Sequence, residues 1–364
     1  MIAAMPDTEP GADAAALGGL RVLHVVEKYR SGVGSAIAQY TRSLPEVEHH
    51  LLSGTPVDGE GDLAEQADFT ATHRMTGGTR AKVRRIREVV ADLRPHVVHA
   101  HSSHGGAYAR LALSRRSTFL VYTPHCYAFE RRDISAPVRA AYWGAEALLA
   151  ANTSAFAACS AREYDLSAWP TRRAPRQLVP NIAPAVVGRA QPSSAEGPLV
   201  VGGGRLSPQK DPDFFLAVVR LLRSKHPDLR ALWLGDGEPA SRAALEADGV
   251  EVSGWLPRAA VLDRLGTATL YLHSARWEGF PLMVAEAAAL GVPTLVRRLP
   301  SFTGVPPALT VADELDVAPA LACLGDAQAA SSNVEAWAHE LRHHTRADQR
   351  AALAELYRRA LPHQ

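Results

Sequence analysis

Short apolar segments alternate with amphipathic segments along most of this 364-residue chain. The apolar segments are rich in strand-forming residues, and most are followed by a loop and then by residues with helical periodicity. Apolar runs without polar alternation are typical of strands buried in a parallel sheet. The pattern therefore predicts an α/β fold made of repeated strand–helix units. The predicted strands cover residues 21–26, 97–101, 118–123, 155–160, 198–203, 230–234 and 268–274.

One segment interrupts the pattern, between residues 183 and 197. It contains Pro184, Pro192, Ser193 and Ser194, a composition typical of a linker. The chain is long enough for two domains, and we expect them over residues 18–182 and 198–340. Residues 1–17 carry three acidic residues and no basic region, which predicts a disordered tail rather than a signal peptide.

The predicted strand over residues 268–274 leads into the most informative stretch of the chain. Pro281 suits the first turn of a helix that ends near Gly291. This helix is apolar nearly all round except for Glu286, whose burial costs several kcal/mol unless a polar group meets it. Glu278 lies in the preceding loop, at the carboxyl end of the strand, where open α/β sheets bind ligands. The helix amino terminus beside these carboxylates favours anions.

Charge and cysteine content limit the class of protein. The net charge of +1 gives no sign of nucleic-acid binding. Residues 18–180 contain 21 Lys+Arg and 15 Asp+Glu, a balance of +6, whereas residues 181–364 contain 18 and 20, a balance of −2. The first half is therefore the one expected to meet an anionic surface or acceptor. Three cysteines without paired spacing suit a reducing, cytoplasmic compartment, and no apolar run is long enough to span a membrane.

A predicted helix over residues 79–94 concentrates positive charge, with six basic residues between Arg80 and Arg94 and two acidic ones. Two interpretations stay open. The cations form a solvated outer face of the first domain, or they contact anionic lipid headgroups as basic interfacial helices do.

Glycines and histidines follow the first-domain strands. Gly32 and Gly34 lie before a helix expected over about residues 36–44, where backbone amides can approach a phosphate or sugar. A third glycine is missing, which disfavours a nicotinamide cofactor. The histidines at 99, 101 and 104 lack a carboxylate or cysteine to complete a metal site. Phosphate or sugar contacts from Ser103, His104 and the neighbouring glycines are favoured there.

Two motifs of the second half resemble those of retaining family 4 glycosyltransferases with the GT-B fold. They are EGFPLMVAEAAALGVP, from Glu278 to Pro293, and the Gly-Arg-Leu…Lys-Asp element from Gly204 to Asp211. The resemblance implies two Rossmann-like domains facing across a cleft. It also implies transfer of a sugar from a nucleotide diphosphate sugar to a glycan or lipid-linked glycan, as in cell-surface polysaccharide synthesis. Finally, it implies a carboxy-terminal helix, over residues 341–364, that returns to the first domain.

The resemblance also implies roles for individual residues. Arg205 and Lys210 would hold the donor diphosphate, and cations so placed stabilise the charge of the leaving group without a metal. Glu278, with the amides of Gly279 and Phe280, would position the donor sugar, while Glu286 would bind the ribose. His125, after the strand at 118–123, would lie near the reacting carbon. The remaining donor-site residues would be Gly32, Gly34, Gly204, Trp255, Leu256, Pro281 and Leu282.

Alternatives from other classes remain at this point. In the first, Glu286 belongs to an ordinary strand–loop–helix unit in which it pairs with a neighbouring arginine. A nucleotide-sugar epimerase would share the fold and the diphosphate-binding cations. A catalytically silent protein that binds a sugar nucleotide or lipid would keep the pocket without turnover. We expect a cytoplasmic protein, with peripheral contact to the inner face of the membrane as an open question.

Overall fold

The protein is described here by a computed structural model that covers residues 17–55, 67–182 and 197–361. Two parallel sheets with helices packed on them make up this part of the chain, as the sequence predicted. The predicted linker lies outside the described residues except for Gly197. The predicted tail also lies outside them except for Leu17, which is buried against the first sheet.

The first sheet has seven strands in the order β3-β2-β1-β4-β5-β6-β7. Its strands are β1 (Arg21–Val26), β2 (Glu48–Ser53), β3 (Ala71–Arg74), β4 (Val97–His101), β5 (Phe119–Thr123), β6 (Ala155–Ala158) and β7 (Arg176–Leu178). Its helices are α1 (Ser31–Ser43), α2 (Thr79–Leu93), α3 (Ser102–Ala112), α4 (Ala136–Ala150) and α5 (Ala161–Leu166), with a short 3-10 helix at Ala128–Glu130.

The second sheet has six strands in the order β10-β9-β8-β11-β12-β13. Its strands are β8 (Leu199–Gly203), β9 (Arg230–Leu234), β10 (Glu251–Val252), β11 (Leu270–His273), β12 (Thr294–Arg297) and β13 (Thr310–Val311). Its helices are α6 (Pro212–Arg223), α7 (Pro239–Ala247), α8 (Arg258–Gly266), α9 (Leu282–Ala289), α10 (Ala318–Gly325) and α11 (Ala327–Glu340), with 3-10 helices at Pro300–Phe302 and Pro307–Leu309.

Strand order places the loops that matter. In each sheet the order reverses beside the first strand, between β1 and β4 and between β8 and β11. Ligands of open α/β sheets bind outside the carboxyl ends of the strands at such a reversal. Because the motif loops follow β8 and β11, both lie at the reversal of the second sheet.

The carboxy-terminal segment contains the helix predicted over residues 341–364, over a shorter range and preceded by a separate helix. It forms two helices, α11 and α12 (Arg346–Arg358), with a break between them. Trp337 of α11 packs in the core of the second sheet, whereas Leu353 and Tyr357 of α12 pack in the core of the first. A continuous helix could not serve both cores, so the chain breaks between the two sheets.

The basic helix is observed at α2, and several of its cations are paired or hydrogen-bonded. Lys82 pairs with Glu27 at 2.6 Å, and Arg87 donates from Nε to the carbonyl oxygen of Ala112 at 2.7 Å. Arg80 and Arg84 are exposed.

Across the described residues, no helix combines the length and apolar character that crossing a membrane requires.

Candidate functional site

The two halves of the chain meet at Gly279, in the loop after β11. A side-chain Cβ at this position would lie 2.6 Å from Glu163 Oε1, 2.9 Å from the backbone nitrogen of Cys126 and 3.2 Å from Cys159 Sγ. All three neighbours belong to the first domain. Only glycine therefore permits this approach between the loop and the first domain.

Glu163 is the fully buried group against which Gly279 packs. Its carboxylate accepts hydrogen bonds from the backbone amide of Cys126 and from the amide of Cys159 at 3.1 Å. Burial raises the pKa of the Glu163 carboxyl, although these amides oppose the shift. Helix α5 begins directly after Ser160, whose hydroxyl accepts a hydrogen bond from the Glu163 amide. The Glu163 carboxylate, however, accepts from the amides of Cys126 and Cys159 and does not turn back to Ser160.

The neighbouring residue Phe280 connects the same loop to Asn181, at the end of the first domain, and to His344, between α11 and α12. Its carbonyl oxygen accepts a hydrogen bond from Asn181 Nδ2 at 3.0 Å, and its ring stacks on His344 with centroids 4.5 Å apart. His344 Nδ1 in turn donates to the Asn181 carbonyl oxygen at 2.8 Å. The donor-side loop is thus held by the segments that enter and leave the second domain.

Lys210 and Glu278 form a close ion pair between the loops after β8 and β11. The pair is mostly buried, and His273 Nε2 lies 3.9 Å from the same carboxylate oxygen. Burial, reinforced by the Lys210 charge, keeps the pKa of His273 well below its usual value, so this ring is neutral. The stem of Lys210 runs along Gly204, where a Cβ would lie 2.9 Å from Lys210 Cε and where φ is +120°. A side chain at position 204 would therefore displace the side chain of Lys210.

Arg205 behaves differently from Lys210, although the sequence predicted one role for both. It is exposed, and within the described ranges no hydrogen bond or ion pair engages its guanidinium. Asp211, the last residue of the same motif, is the residue before α6, and its side chain makes no capping hydrogen bond. It pairs instead with Arg297 at 2.6 Å, and the Arg297 guanidinium lies over the ring of Phe214.

Glu286 is buried on α9 and forms an ion pair with Arg258, the first residue of α8. This is the arrangement that the ordinary strand–loop–helix alternative proposed. The pair satisfies the charge of Glu286, whose burial would otherwise be costly.

Trp255 and Leu256 lie just before Arg258. The Trp255 side chain is 47% exposed, and Leu256 packs partly against the core of the second domain.

Two helix amino termini face each other across the cleft. Helix α1 begins at Ser31, five residues earlier than predicted, so Gly32 and Gly34 lie in its first turn rather than in a preceding loop. A Cβ on Gly32 would lie 4.0 Å from Leu282 Cδ1, at the start of α9. Pro281 is the residue before α9 and not its first helical residue. The free N–H groups of both first turns can bind an anion between them.

His125 follows β5 in a left-handed backbone conformation, with φ of 47°. Its ring is buried, burial lowers its pKa to about 4, and its Nε2 lies 3.1 Å from Nδ1 of His101. The next residue, Cys126, is the one that contacts Gly279 and Glu163, so the His125 loop borders the donor-side loop. Gly105 and Gly106, for which the sequence predicts phosphate or sugar contacts, lie in α3 and pack on the backbone of Val25 and on the ring of Tyr122.

A polar group that the sequence did not reveal lies at the end of β1. Glu27 accepts from Lys82 at 2.6 Å and from the Tyr108 hydroxyl at 3.2 Å, and its other oxygen lies 2.9 Å from His104 Nδ1. Burial would raise the pKa of Glu27, but the hydrogen bond from Lys82 and the nearby cations lower it overall. Lys82 comes from the basic helix, far along the chain, so spacing alone could not predict this group.

The structure thus brings most predicted site residues to one cleft. Gly32, His125, Lys210, Glu278, Gly279 and Leu282 lie on or beside its central loops. Trp255, Leu256 and the Glu286–Arg258 pair lie on neighbouring elements of the second domain. Gly34 is buried within α1.

Two family models match the chain, one for each sheet. The glycosyl transferase 4-like domain matches residues 19–182, and the model described as glycosyl transferases group 1 matches residues 197–341. A curated relative, an uncharacterized 41.2 kDa protein in the cps region of Klebsiella pneumoniae, is 23% identical over 301 residues. The match covers 79% of this chain and 83% of that protein.

Solved structures share the fold over nearly their whole length. A sucrose-phosphate synthase from Thermosynechococcus elongatus matches with a TM-score of 0.77 and 17% identity, over 94% of this chain and 98% of that one. HepE from Anabaena, in complex with UDP and glucose, matches with a TM-score of 0.74 and 14% identity, over 92% and 98%. These likenesses confirm the predicted GT-B architecture of two Rossmann-like domains.

We predict that Gly279→Ala separates the two domains. The added methyl group overlaps Glu163 and Cys126, and overpacking of this kind costs about 1–3 kcal/mol. Since 1.4 kcal/mol is a tenfold change in an equilibrium, the closed arrangement loses about tenfold or more in population. Small-angle X-ray scattering should show a larger radius of gyration. Gly325→Ala is the matched control, because a Cβ there meets no atom of the described residues within 4 Å. An unchanged radius for Gly279→Ala would contradict this account of the contact.

Proposed function

We propose that this chain, which belongs to the glycosyl transferases of group 1, uses a nucleotide diphosphate sugar as its donor. We further propose that it retains the configuration of the anomeric carbon. The observation that carries the proposal is the Lys210–Glu278 pair beside two opposed helix amino termini. This cleft combines a cation, free backbone N–H groups and a carboxylate. Those groups match a diphosphate joined to a polyhydroxylated ring.

The Lys210–Glu278 pair has a defined part in donor binding. In the structure each charge is balanced by the other, which limits the cost of partial burial. A donor diphosphate replaces Glu278 as the partner of Lys210, and Glu278 is then free to accept hydrogen bonds from hydroxyl groups of the donor sugar. The leaving diphosphate gains negative charge as the glycosidic bond breaks, and Lys210 stabilises that charge.

Arg205 supplies the second cation. Its exposed guanidinium lies six residues after the start of β8, at the mouth of the same loop. Two cations and two helix termini provide the charge that a divalent metal would otherwise supply. We therefore propose transfer without a metal cofactor.

Glu286 and Arg258 are proposed to form the ribose end of the site. The buried carboxylate can accept from two neighbouring hydroxyls, and Arg258 keeps it charged and oriented before the donor binds. The exposed Trp255 beside them offers an apolar face for the base. Each glutamate has its own cation, so the two do not form the acid and nucleophile pair of a glycosidase.

The acceptor is proposed to bind the first domain and to be a glycan or lipid-linked glycan. Exposed Arg80 and Arg84 lie on α2, which packs against α3, and α3 in turn contacts α4. Helices α3 and α4 carry the exposed apolar side chains Leu111, Val138, Tyr142, Trp143 and Leu148. Cations beside exposed aromatic and aliphatic groups suit peripheral contact with an anionic membrane. This supports a cytoplasmic enzyme that works at the inner face of the membrane.

We predict that Arg205→Ala and Lys210→Ala each lower turnover by about 100- to 1000-fold, the usual effect of removing one contact that stabilises transition-state charge. Turnover is measured as nucleoside diphosphate release with the donor that the native protein uses. Lys225→Ala, an exposed lysine of the same domain, is the matched control and should leave turnover unchanged. Activity near the native value in both site variants would contradict the assignment of the donor site.

We predict that the protein sediments with anionic vesicles at low salt and not with neutral ones. Each cation near such a surface contributes about 1 kcal/mol, so Arg80→Gln with Arg84→Gln should weaken binding about thirtyfold. Arg87 is left unchanged because it binds the carboxyl end of α3. Lys225→Gln with Arg298→Gln removes two exposed cations of the second domain as a control. If the native protein stays in the supernatant at low salt, the lipid-linked acceptor is wrong and the transferase proposal remains.

A further inference from the structure

Four histidine rings form an unbroken hydrogen-bonded series through the first sheet. His49 lies on β2, His24 on β1, His101 on β4, and His125 follows β5. These strands are neighbours, in the order β2-β1-β4-β5, so the series crosses the sheet from one side toward the cleft. Histidine is of intermediate burial in most proteins, whereas three residues of this series are buried, so the series calls for an explanation beyond packing.

The nitrogen atoms pair in one consistent order. His125 Nε2 lies 3.1 Å from His101 Nδ1, and His101 Nε2 lies 3.0 Å from His24 Nδ1. His24 Nε2 lies 3.0 Å from His49 Nδ1, and His49 Nε2 lies 3.0 Å from the carbonyl oxygen of Leu44. Every link therefore joins Nε2 of one ring to Nδ1 of the next, until the series ends on a backbone carbonyl.

The terminal carbonyl decides where each hydrogen lies. The Leu44 oxygen can only accept, so Nε2 of His49 carries the hydrogen. A neutral imidazole has one N–H and one lone pair, so Nδ1 of His49 must accept from Nε2 of His24. The same step repeats at His101 and ends at His125, which donates from Nε2 and keeps its lone pair on Nδ1.

The rings are neutral because burial disfavours their charged form. Burial lowers the pKa of His49 and of His125 to about 4 and keeps those of His24 and His101 well below their usual value. A fifth histidine, His99, supports the series from the side. Its ring stacks on His101 with centroids 4.2 Å apart and is fixed by Tyr357 and Thr123, each at 2.7 Å. The other titratable groups beside the series are Tyr40, Glu46 and His50.

We propose that His101, His24 and His49 are positioning residues that hold the ring of His125 in its Nε2–H form and in one orientation. The side chain of His125 then presents a hydrogen-bond acceptor at Nδ1 beside the donor-side loop. The assignment of His125 to the transfer site rests on the proposed function. Which nitrogen of the His125 ring carries the hydrogen does not rest on that function. It can be measured without turnover.

The first experiment is long-range ¹H–¹⁵N NMR of the native protein labelled with ¹⁵N-histidine. All four rings should give the neutral Nε2–H pattern, unchanged between about pH 8 and pH 5.5, whereas free histidine titrates near pH 6.5. An Nδ1–H form or a mixture at His125 would overturn the proposal. This measurement needs no variant, so it holds even if a substitution prevents folding.

The second experiment breaks the series at its far end. His49→Phe removes the acceptor for His24, so His125 should show a mixture of both neutral forms. Turnover should fall about tenfold, the lower range for loss of an indirect partner, with the donor KM little changed. His49→Asn can place a carbonyl oxygen near the position of Nδ1 and should restore the native pattern and rate.

His50→Phe is the matched control. His50 is a buried histidine next to His49 on β2, but it bonds to Glu48 and stacks on His73, outside the series. The proposal is wrong if His49→Phe and His50→Phe change the His125 signals and the rate equally. If the ring pattern is observed but the native protein has no transferase activity, the proposed function fails and the positioning of His125 stands.

A metal ion is the competing explanation for the cluster. Ring nitrogens of His24, His99 and His101 lie within 4.8 Å of one another, a spacing that ligands of one ion can share. A nitrogen that binds a metal cannot also accept a hydrogen bond, so binding would break the series. Addition of Zn²⁺ to the labelled protein should therefore leave the four ring patterns unchanged, and a stoichiometric change in them would overturn the proposal.

Discussion

The missing side chain at Gly279 sets the distance between the two domains. Without a Cβ, the loop after β11 packs directly on Glu163 and Cys126 of the first domain. Cys126 follows His125, and Glu278 precedes Gly279, so one contact fixes the separation of the two proposed halves of the site. The Phe280 contacts with Asn181 and His344 then anchor the same loop to the chain crossings between the domains.

The charges of the cleft are balanced in pairs before any ligand binds. Lys210 neutralises Glu278, Arg258 neutralises Glu286, and Arg297 neutralises Asp211. A buried charge without a partner would cost several kcal/mol, so these pairs make a charged site compatible with a folded domain. On the proposed function, the donor diphosphate takes Lys210 as its partner and leaves Glu278 to the hydroxyl groups of the sugar. Arg205, exposed at the mouth, is the cation best placed to meet the incoming diphosphate first.

The sequence predicted what depends on local pattern and on motif. Apolar runs located most of the strands, and the two motifs located Lys210, Glu278 and Glu286. Contacts between distant parts of the chain could not be predicted this way. Spacing does not show that Glu163 faces Gly279, that Arg258 meets Glu286, or that histidines on four strands share hydrogen bonds. Helical periodicity likewise does not show that Trp337 packs in the core of the second sheet while Tyr357 packs in that of the first. The roles of individual site residues and the domain boundaries stay predictions.

Binding of a nucleoside diphosphate tests the central claim most directly, since it requires neither the acceptor nor the sugar to be known. Thermal unfolding of the full chain is followed with uridine, guanosine and adenosine diphosphates, beside the Arg205→Ala/Lys210→Ala double variant. A ligand at about 100 times its Kd adds about 2.7 kcal/mol of stability. The account predicts that at least one of these nucleotides raises the Tm of the native protein and has little effect on the double variant. No rise with any of them, or an equal rise in both proteins, would contradict it.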